Sequence, residues 1–167
     1  MIQVYTGNGK GKTTAALGLS LRALGAGHKV YICQFLKGKD YCELRSLRSL
    51  RGIKVEQYGT TCFIRRKVQR KDIELARAGI NAAKKAINSK RYSLIVLDEI
   101  NVALKLKLIS LREVLALMRG APKKTEIILT GRSAHRAVIK LADLVSDIQE
   151  VKHYYSRGVK ARKGIEF

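Results

Sequence analysis

A segment rich in glycine and lysine near the start of the chain has the residue types of a phosphate-binding loop. Residues 6–14 read TGNGKGKTT. Glycines allow the backbone to curl so that successive N–H groups point at phosphate oxygens. Lys12 would add a positive charge beside the phosphates, and the Thr13 hydroxyl would be a ligand for Mg²⁺. The predicted phosphate-binding residues are Gly7, Asn8, Gly9, Lys10, Gly11, Lys12, Thr13 and Thr14.

The segment differs at one position from the common phosphate-loop pattern, in which a glycine is followed by four residues and then by Gly-Lys-Ser/Thr. Thr6 stands where that first glycine is expected. The alternative is an ordinary glycine-rich turn on a basic surface. The context favours the phosphate loop, because the segment follows an apolar strand and opens a helix whose positive N-terminal end attracts anions.

Two consecutive acids, Asp98 and Glu99, follow the apolar run SLIVL at 93–97. This is the position at which P-loop enzymes carry the carboxylate that holds the metal. In ATPases a glutamate directly after the aspartate often orients the attacking water, so ATP hydrolysis also suits these residues. The alternative is a pair of helix-capping acids. The metal role is favoured because the chain has only 13 acidic residues and two of them meet at a strand end.

Other residues admit a functional and a structural interpretation. Arg132 follows a strand end and could pair with phosphate, with a carboxylate, or form a surface salt bridge. Phe63, beside Cys62 in an aperiodic basic loop, suits either a flat ligand or the core. The three histidines show no metal-ligand spacing, and the three cysteines are expected to be reduced thiols.

Strands that alternate with helices must position these residues. Such alternation predicts an α/β fold in which a mostly parallel sheet is covered by helices on both faces. Ligands then bind beyond the carboxyl ends of the strands, where segments 6–14, 34–39, 98–101 and 130–136 are expected to meet. Strands are predicted at 2–6, 29–35, 53–58, 93–97, 126–129 and 145–151. Helices are predicted at 12–25, 40–51, 110–118 and 134–144, and from Asp72, as N-cap, to Ile87.

Length and composition predict one cytoplasmic domain over residues 1–167. No apolar run is long enough for a membrane span, and a strand at the first residues leaves no room for a signal peptide. The formal net charge of +21 would attract polyanions such as nucleic acid. The basic residues are spread along the chain without regular aromatic interleaving, so nucleic-acid binding is not favoured as the main function.

The ordered set of motifs resembles the ATP:corrinoid adenosyltransferases of the CobA/CobO/BtuR type, from near the start of the chain to its last residue. Thr6 in place of glycine is also what this family shows. The matching segments are TGNGKGKTTAA at 6–16, QFLKG at 34–38, VLDEI at 96–100, TGR with HR at 130–136, ADLV at 142–145, and the tail VKH, GVKA and GIEF at 151–167.

The resemblance implies a RecA-like P-loop NTPase fold and transfer of the 5′-deoxyadenosyl group of ATP to Co(I) of a reduced corrinoid. Triphosphate leaves, and adenosylcobalamin or an adenosylated precursor forms. The nucleophile belongs to the substrate, which agrees with the absence of an evident protein nucleophile. Lys12 and Glu99 would be the catalytic residues, Arg132 would bind ATP, and Thr13 with Asp98 or Glu99 would hold Mg²⁺. The family also implies a homodimer and a flavoprotein-type reductase that supplies the electron for Co(I).

The chain departs from the better-known family members in the loop before the long helix. Those members place a Phe and a Trp there, which help to displace the lower axial ligand of the corrinoid. This sequence has no Trp. Phe63 matches the Phe, whereas the Trp position falls near Arg65. The loop at 59–66, with Cys62 and Phe63, is therefore the predicted corrinoid contact.

Two other functions fit the residues. One is a P-loop ATPase that acts on nucleic acid, which the charge and the Asp98-Glu99 pair favour. The other is a nucleotide-binding regulatory module without turnover. The reaction products would separate the three, because the transferase releases triphosphate, the ATPase releases ADP and phosphate, and the module releases neither.

Overall fold

The computed structural model describes residues 1–60 and 68–166. In this part of the chain six strands form one sheet, and every pairing between them is parallel. The order across the sheet is β3-β2-β4-β5-β1-β6. The predicted parallel sheet is confirmed. The strands are β1 (Ile2–Thr6), β2 (Val30–Phe35), β3 (Ile53–Tyr58), β4 (Leu94–Asp98), β5 (Glu126–Thr130) and β6 (Leu144–Asp147).

Helices cover both faces of the sheet, which confirms the α/β architecture. Because side chains alternate along a strand, β2 contributes Tyr31 and Phe35 to one hydrophobic cluster and Val30 and Ile32 to the other. The first cluster packs against α3 and α5, and the second packs against α1 and α2. The helices in the described residues are α1 (Lys12–Gly25), α2 (Cys42–Arg48), α3 (Arg70–Asn88), α4 (Ile100–Lys105), α5 (Leu111–Arg119) and α6 (Arg136–Leu141), followed by a 3₁₀ turn at Tyr154–Arg157.

The helix starts show where local patterns were sufficient and where they were not. The capping box of Ser110 and Glu113 at the start of α5 is confirmed. The prediction that Asp72 is the N-cap of α3 is wrong. Gln69 is the N-cap, and the Asp72 carboxylate accepts a hydrogen bond from its N–H at 2.9 Å. Acidic residues are favoured both at the N-cap and at the third helical position. The sequence alone does not distinguish the two, so the predicted N-cap lies three residues after the observed one.

Two elements near the end are shorter than predicted. Helix α6 begins after His135, whose Nδ1 accepts a hydrogen bond from the N–H of Ala137 at 3.1 Å. It ends before Asp143, whose carboxylate instead accepts from the N–H of Ile2 at 2.7 Å. Strand β6 then runs only to Asp147. Among the described residues, no helix is both long and apolar enough to cross a bilayer.

Candidate active site

The phosphate loop connects β1 to α1, and its glycines are required by both conformation and space. Gly7 and Gly11 have left-handed φ values of 95° and 117°. A Cβ atom on Gly7 would lie 2.3 Å from a carboxylate oxygen of Asp147, and one on Gly9 would lie 2.6 Å from the carbonyl oxygen of Gln149. The Gly9 N–H donates to the carbonyl of Ile148 at 2.7 Å. The end of β6 and the residues that follow it therefore pack against the phosphate loop and support its conformation.

We expect Gly9→Ala to weaken ATP binding by about tenfold or more. The added methyl group meets backbone rather than a movable side chain, and such overpacking costs about 1–3 kcal/mol. Calorimetric titration of the variant with ATP and Mg²⁺ measures the change. Gly18→Ala on α1 is the control, because its Cβ meets nothing within 4 Å and alanine suits a helix better than glycine. Equal affinities of the two variants would contradict the packing argument.

Lys12 is the first residue of α1 and is only 7% exposed. Its ammonium donates to the carbonyl oxygen of Gly9 at 2.5 Å, so the side chain curls back over the loop. Burial lowers the pKa of Lys12 below its usual value, and the nearby Arg132 guanidinium lowers it further. An anion bound in the loop would relieve both effects, which suits a lysine that binds phosphate.

Asp98, the last residue of β4, is fully buried and joins several strand ends. One carboxylate oxygen accepts from the Thr13 hydroxyl at 2.8 Å and from the Thr130 hydroxyl at 2.7 Å. The other accepts from the Gln34 amide at 3.2 Å and pairs with the Lys37 ammonium at 2.9 Å. The phosphate-loop helix is thereby tied to the carboxyl ends of β2, β4 and β5.

Glu99 follows β4 with a left-handed φ of 62°, and its N–H donates to the Thr130 hydroxyl at 2.9 Å. Burial raises the pKa of the Glu99 carboxyl, and the neighbouring Asp98 raises it further. Cations on Lys37 and Lys12 offset part of this effect. Ionisation of Glu99 is therefore less favourable in the folded protein than in water.

We expect Glu99→Gln to raise the melting temperature of the nucleotide-free protein at pH 8 and to raise it less at pH 4. The folded state binds the Glu99 proton more tightly than the unfolded chain does, because the folded pKa is raised. The stability from this group is thus present at low pH and is lost as the pH rises through the folded pKa. Circular-dichroism melts at both pH values measure the difference.

Glu74→Gln is the control for that prediction. Glu74 pairs with Arg70 on the outside of α3, where both side chains are well exposed. Its substitution should change the melting temperature little at either pH. A Glu99→Gln variant that melts below the unsubstituted protein at pH 8 would refute the argument.

The donor atoms around Asp98 fit a magnesium ion. Thr13, Asp98 and Glu99 offer only oxygen ligands, which a hard cation prefers. Within residues 1–60 and 68–166, however, no group of three or more His, Cys, Asp or Glu side chains converges to hold a metal. This donor set suits Mg²⁺, which characteristically takes one or two carboxylates and completes its shell with water and phosphate oxygens.

A cleft of about 320 Å³ lies beside the phosphate loop. Four cationic residues, Lys10, Lys12, Lys37 and Arg132, line it together with two carboxylate residues, Glu99 and Glu166. This charge pattern suits a polyanion that carries a divalent cation. The lining residues are Gly9, Lys10, Gly11, Lys12, Thr13, Thr14, Lys37, Tyr41, Glu99, Arg132, His153, Ile165 and Glu166.

The tail of the chain returns to the phosphate loop. The Lys10 ammonium donates to the carbonyl of Ile165 at 2.8 Å, to the Glu166 carboxylate at 3.0 Å and to the Tyr154 hydroxyl at 3.2 Å. The Tyr154 hydroxyl and the Arg162 backbone N–H lower the pKa of Glu166 well below its usual value. These hydrogen bonds of Lys10 hold the tail beside the cleft.

The structure brings most of the sequence-predicted residues to one place. Residues 9–14 line the cleft with Glu99 and Arg132, and Asp98 lies beneath them. Gly7 and Asn8 belong to the same loop but are not among the residues that line the cleft. Cys62 and Phe63 lie outside the described residues. Sequence reasoning gave no role to Lys37, Tyr41 or the tail, although segment 34–39 was placed at a strand end.

Similarity to known proteins covers the whole chain. The model of the family described as ATP:corrinoid adenosyltransferase BtuR/CobO/CobP matches residues 1–167. The corrinoid adenosyltransferase of Escherichia coli K12 and the corrinoid adenosyltransferase CobA of Salmonella typhimurium LT2 are each 35% identical over 167 residues, which is 100% of this chain and 85% of theirs. The corrinoid adenosyltransferase of Pseudomonas aeruginosa is 36% identical over 169 residues, which is 83% of that protein.

A solved structure also supports the fold. The KaiC-like protein PH0186 of Pyrococcus horikoshii OT3 superimposes with a TM-score of 0.53 at 20% identity. The match covers 90% of this chain and 74% of the other. It confirms the RecA-like P-loop fold, and at this identity it says nothing further.

Proposed function

Because the chain belongs to the ATP:corrinoid adenosyltransferase family, we propose that the cleft beside the phosphate loop is where it binds ATP. The enzyme transfers the 5′-deoxyadenosyl group of ATP to Co(I) of a reduced corrinoid and releases triphosphate. One observation carries the assignment of the site. The Thr13 hydroxyl of the phosphate loop lies 2.8 Å from Asp98, so the loop and the strand-end acid form one site.

Residues 7–14 hold the triphosphate in this proposal. Lys12 exchanges the Gly9 carbonyl for phosphate oxygens, and Arg132, which lines the same cleft, also binds the triphosphate. These cations act on the leaving group, whose negative charge increases as its bond to the 5′ carbon breaks. Charges fixed in place before the reaction stabilise such a transition state most effectively.

Thr13, Asp98 and Glu99 would hold Mg²⁺. Bound there, the ion would neutralise part of the triphosphate charge. Glu99 then acts as a metal ligand rather than as a base that orients water. Its left-handed backbone presents the carboxylate to the cleft, and Thr130 fixes that backbone through the Glu99 N–H.

No side chain has to act as the nucleophile, because the cobalt centre of the corrinoid attacks the 5′ carbon. The chain's task is to hold two substrates in line. Cys62 and Phe63 are the proposed corrinoid contacts. The described end of their segment supports this placement, because Gly59 packs against the backbone of Leu36 and Gly38, directly beside Lys37 of the cleft.

A product assay tests the function directly. Incubation with ATP, Mg²⁺ and chemically reduced cobalamin should yield triphosphate and the light-sensitive spectrum of an alkylcobalt species. ADP and phosphate as the only products, with stimulation by DNA or RNA, would instead establish a nucleic-acid-dependent ATPase. Nucleotide binding with no product would establish a regulatory module.

The oligomeric state, the compartment and the electron donor are proposed from the same family. We propose that the chain forms one domain, assembles as a homodimer in the cytoplasm, and depends on a flavoprotein-type reductase for the electron that reduces the corrinoid to Co(I). Sedimentation of the purified protein tests the homodimer, and reconstitution with a flavoprotein reductase in place of the chemical reductant tests the electron supply.

A further inference from the structure

Lys37 lies in the segment between β2 and α2 and reaches back into the active site. Its ammonium is 2.9 Å from one oxygen of Asp98 and 3.9 Å from the Glu43 carboxylate. The Tyr41 ring lies 5.3 Å from the ammonium, at a distance typical of a cation–π contact. The Lys37 side chain is only 12% exposed, so the protein encloses this charge on several sides.

This contact places a cation on the carboxylate that the metal needs. Thr13 and Thr130 already donate to one oxygen of Asp98, and Gln34 donates to the other beside Lys37. Both oxygens are therefore engaged before any ligand arrives. A divalent ion that approaches Asp98 must displace a hydroxyl, the Gln34 amide or the Lys37 ammonium.

The protein itself supplies few ligands for a metal ion. The described residues hold no cluster of three acidic, histidine or cysteine ligands, and Asp98 with Glu99 supplies only two carboxylates. Mg²⁺ gives up water reluctantly and is usually held by one or two carboxylates together with substrate phosphates. Phosphate oxygens of ATP would supply the remaining ligands and would also attract the released ammonium, because Lys37 lines the same cleft.

We propose that Lys37 is a resident counter-ion that closes Asp98 to divalent cations until ATP brings phosphate ligands, so that the metal enters only with the nucleotide. When ATP and the metal bind, the ammonium would move from Asp98 toward the triphosphate, and the metal ion would replace it as the positive charge beside the carboxylate. This inference rests on the function proposed above and adds an order of binding to it.

Manganese binding without nucleotide tests the proposal, because free Mn²⁺ is measured directly by electron paramagnetic resonance. Lys37→Met keeps the apolar stem and removes the charge. We expect this variant to bind Mn²⁺ at least tenfold more tightly than the unsubstituted protein. Lys37→Gln, whose amide can still donate to Asp98, carries the same test should the Met variant not fold.

Lys39→Met is the matched control. Lys39 is exposed on the same segment, so its loss changes the net charge by the same amount without touching Asp98. Its Mn²⁺ affinity should stay within twofold of that of the unsubstituted protein. Equal affinities in the Lys37 and Lys39 variants would overturn the counter-ion role, because overall charge would then explain any change.

A second measurement separates this proposal from the proposed function. ATP binding to the unsubstituted protein is titrated in the presence and absence of Mn²⁺. Failure of ATP to bind under both conditions would refute the nucleotide site itself. Nucleotide binding that leaves the Mn²⁺ affinity unchanged would refute only the order of binding, whereas a gain of tenfold or more would support it.

Discussion

Lys12→Ala should lower kcat/KM for adenosyl transfer by about a thousandfold. Loss of one preorganised donor to a developing anion costs roughly 10²–10³ in rate, and the Lys12 ammonium carries a full positive charge on a residue that is only 7% exposed. Alanine also leaves the Gly9 carbonyl without its 2.5 Å partner. Initial rates with chemically reduced cobalamin and varied ATP give the number.

Lys10→Ala is the control for Lys12. Both lysines belong to the phosphate loop, but the Lys10 ammonium is engaged with Ile165, Glu166 and Tyr154 of the tail. Its loss should lower transfer by no more than about tenfold, the effect of about 1.4 kcal/mol. A Lys12→Ala enzyme with near-normal transfer would remove the basis for the triphosphate assignment.

Asp98→Asn should reduce transfer by a similar factor and should also destabilise the protein by about 3–5 kcal/mol. The amide keeps the size of the carboxylate but removes its charge, which leaves the buried Lys37 ammonium without its main partner. The NH₂ group of the asparagine would lie against hydrogen-bond donors and could not accept from them, because Thr13, Thr130 and Gln34 all donate to Asp98. Urea titration gives the stability, and rates at low temperature give the activity of the folded fraction.

Asp143→Asn provides the comparison for Asp98. The Asp143 carboxylate also accepts an important backbone bond, from the N–H of Ile2 at 2.7 Å, but it lies at the opposite end of β1 from the phosphate loop. Some stability should be lost, with transfer by the folded enzyme unchanged. If both variants lost activity only in proportion to their unfolded fraction, Asp98 would be a structural residue.

The parts of the site that could be predicted are short contiguous segments with a fixed relation to a strand. The phosphate loop directly follows β1, and Asp98 directly ends β4, so apolar runs and glycine content were sufficient to place both. The parallel sheet could be predicted because strand and helix patterns alternate along the chain. These signals lie within a few residues of one another and need no knowledge of tertiary contacts.

The remaining parts depend on approach between distant segments. Lys10 and Glu166 are 156 positions apart, and no local pattern joins them. The ion pair of Lys37 with Asp98 forms only because β2 and β4 are neighbours in the sheet. Helix α4 was missed because it has six residues and follows β4 after Glu99 alone, with no glycine or proline to mark its start.

The position of β1 in the sheet has a consequence for synthesis of the chain. Strand β1 leaves the ribosome before the other five strands, yet its partners in the sheet are β5 and β6, which begin at residues 126 and 144. The nascent chain must keep β1 unpaired until β5 and β6 have been made. Pairing over such sequence separation is slow. We therefore expect nucleotide-binding competence to appear only after β5 and β6 have emerged from the ribosome.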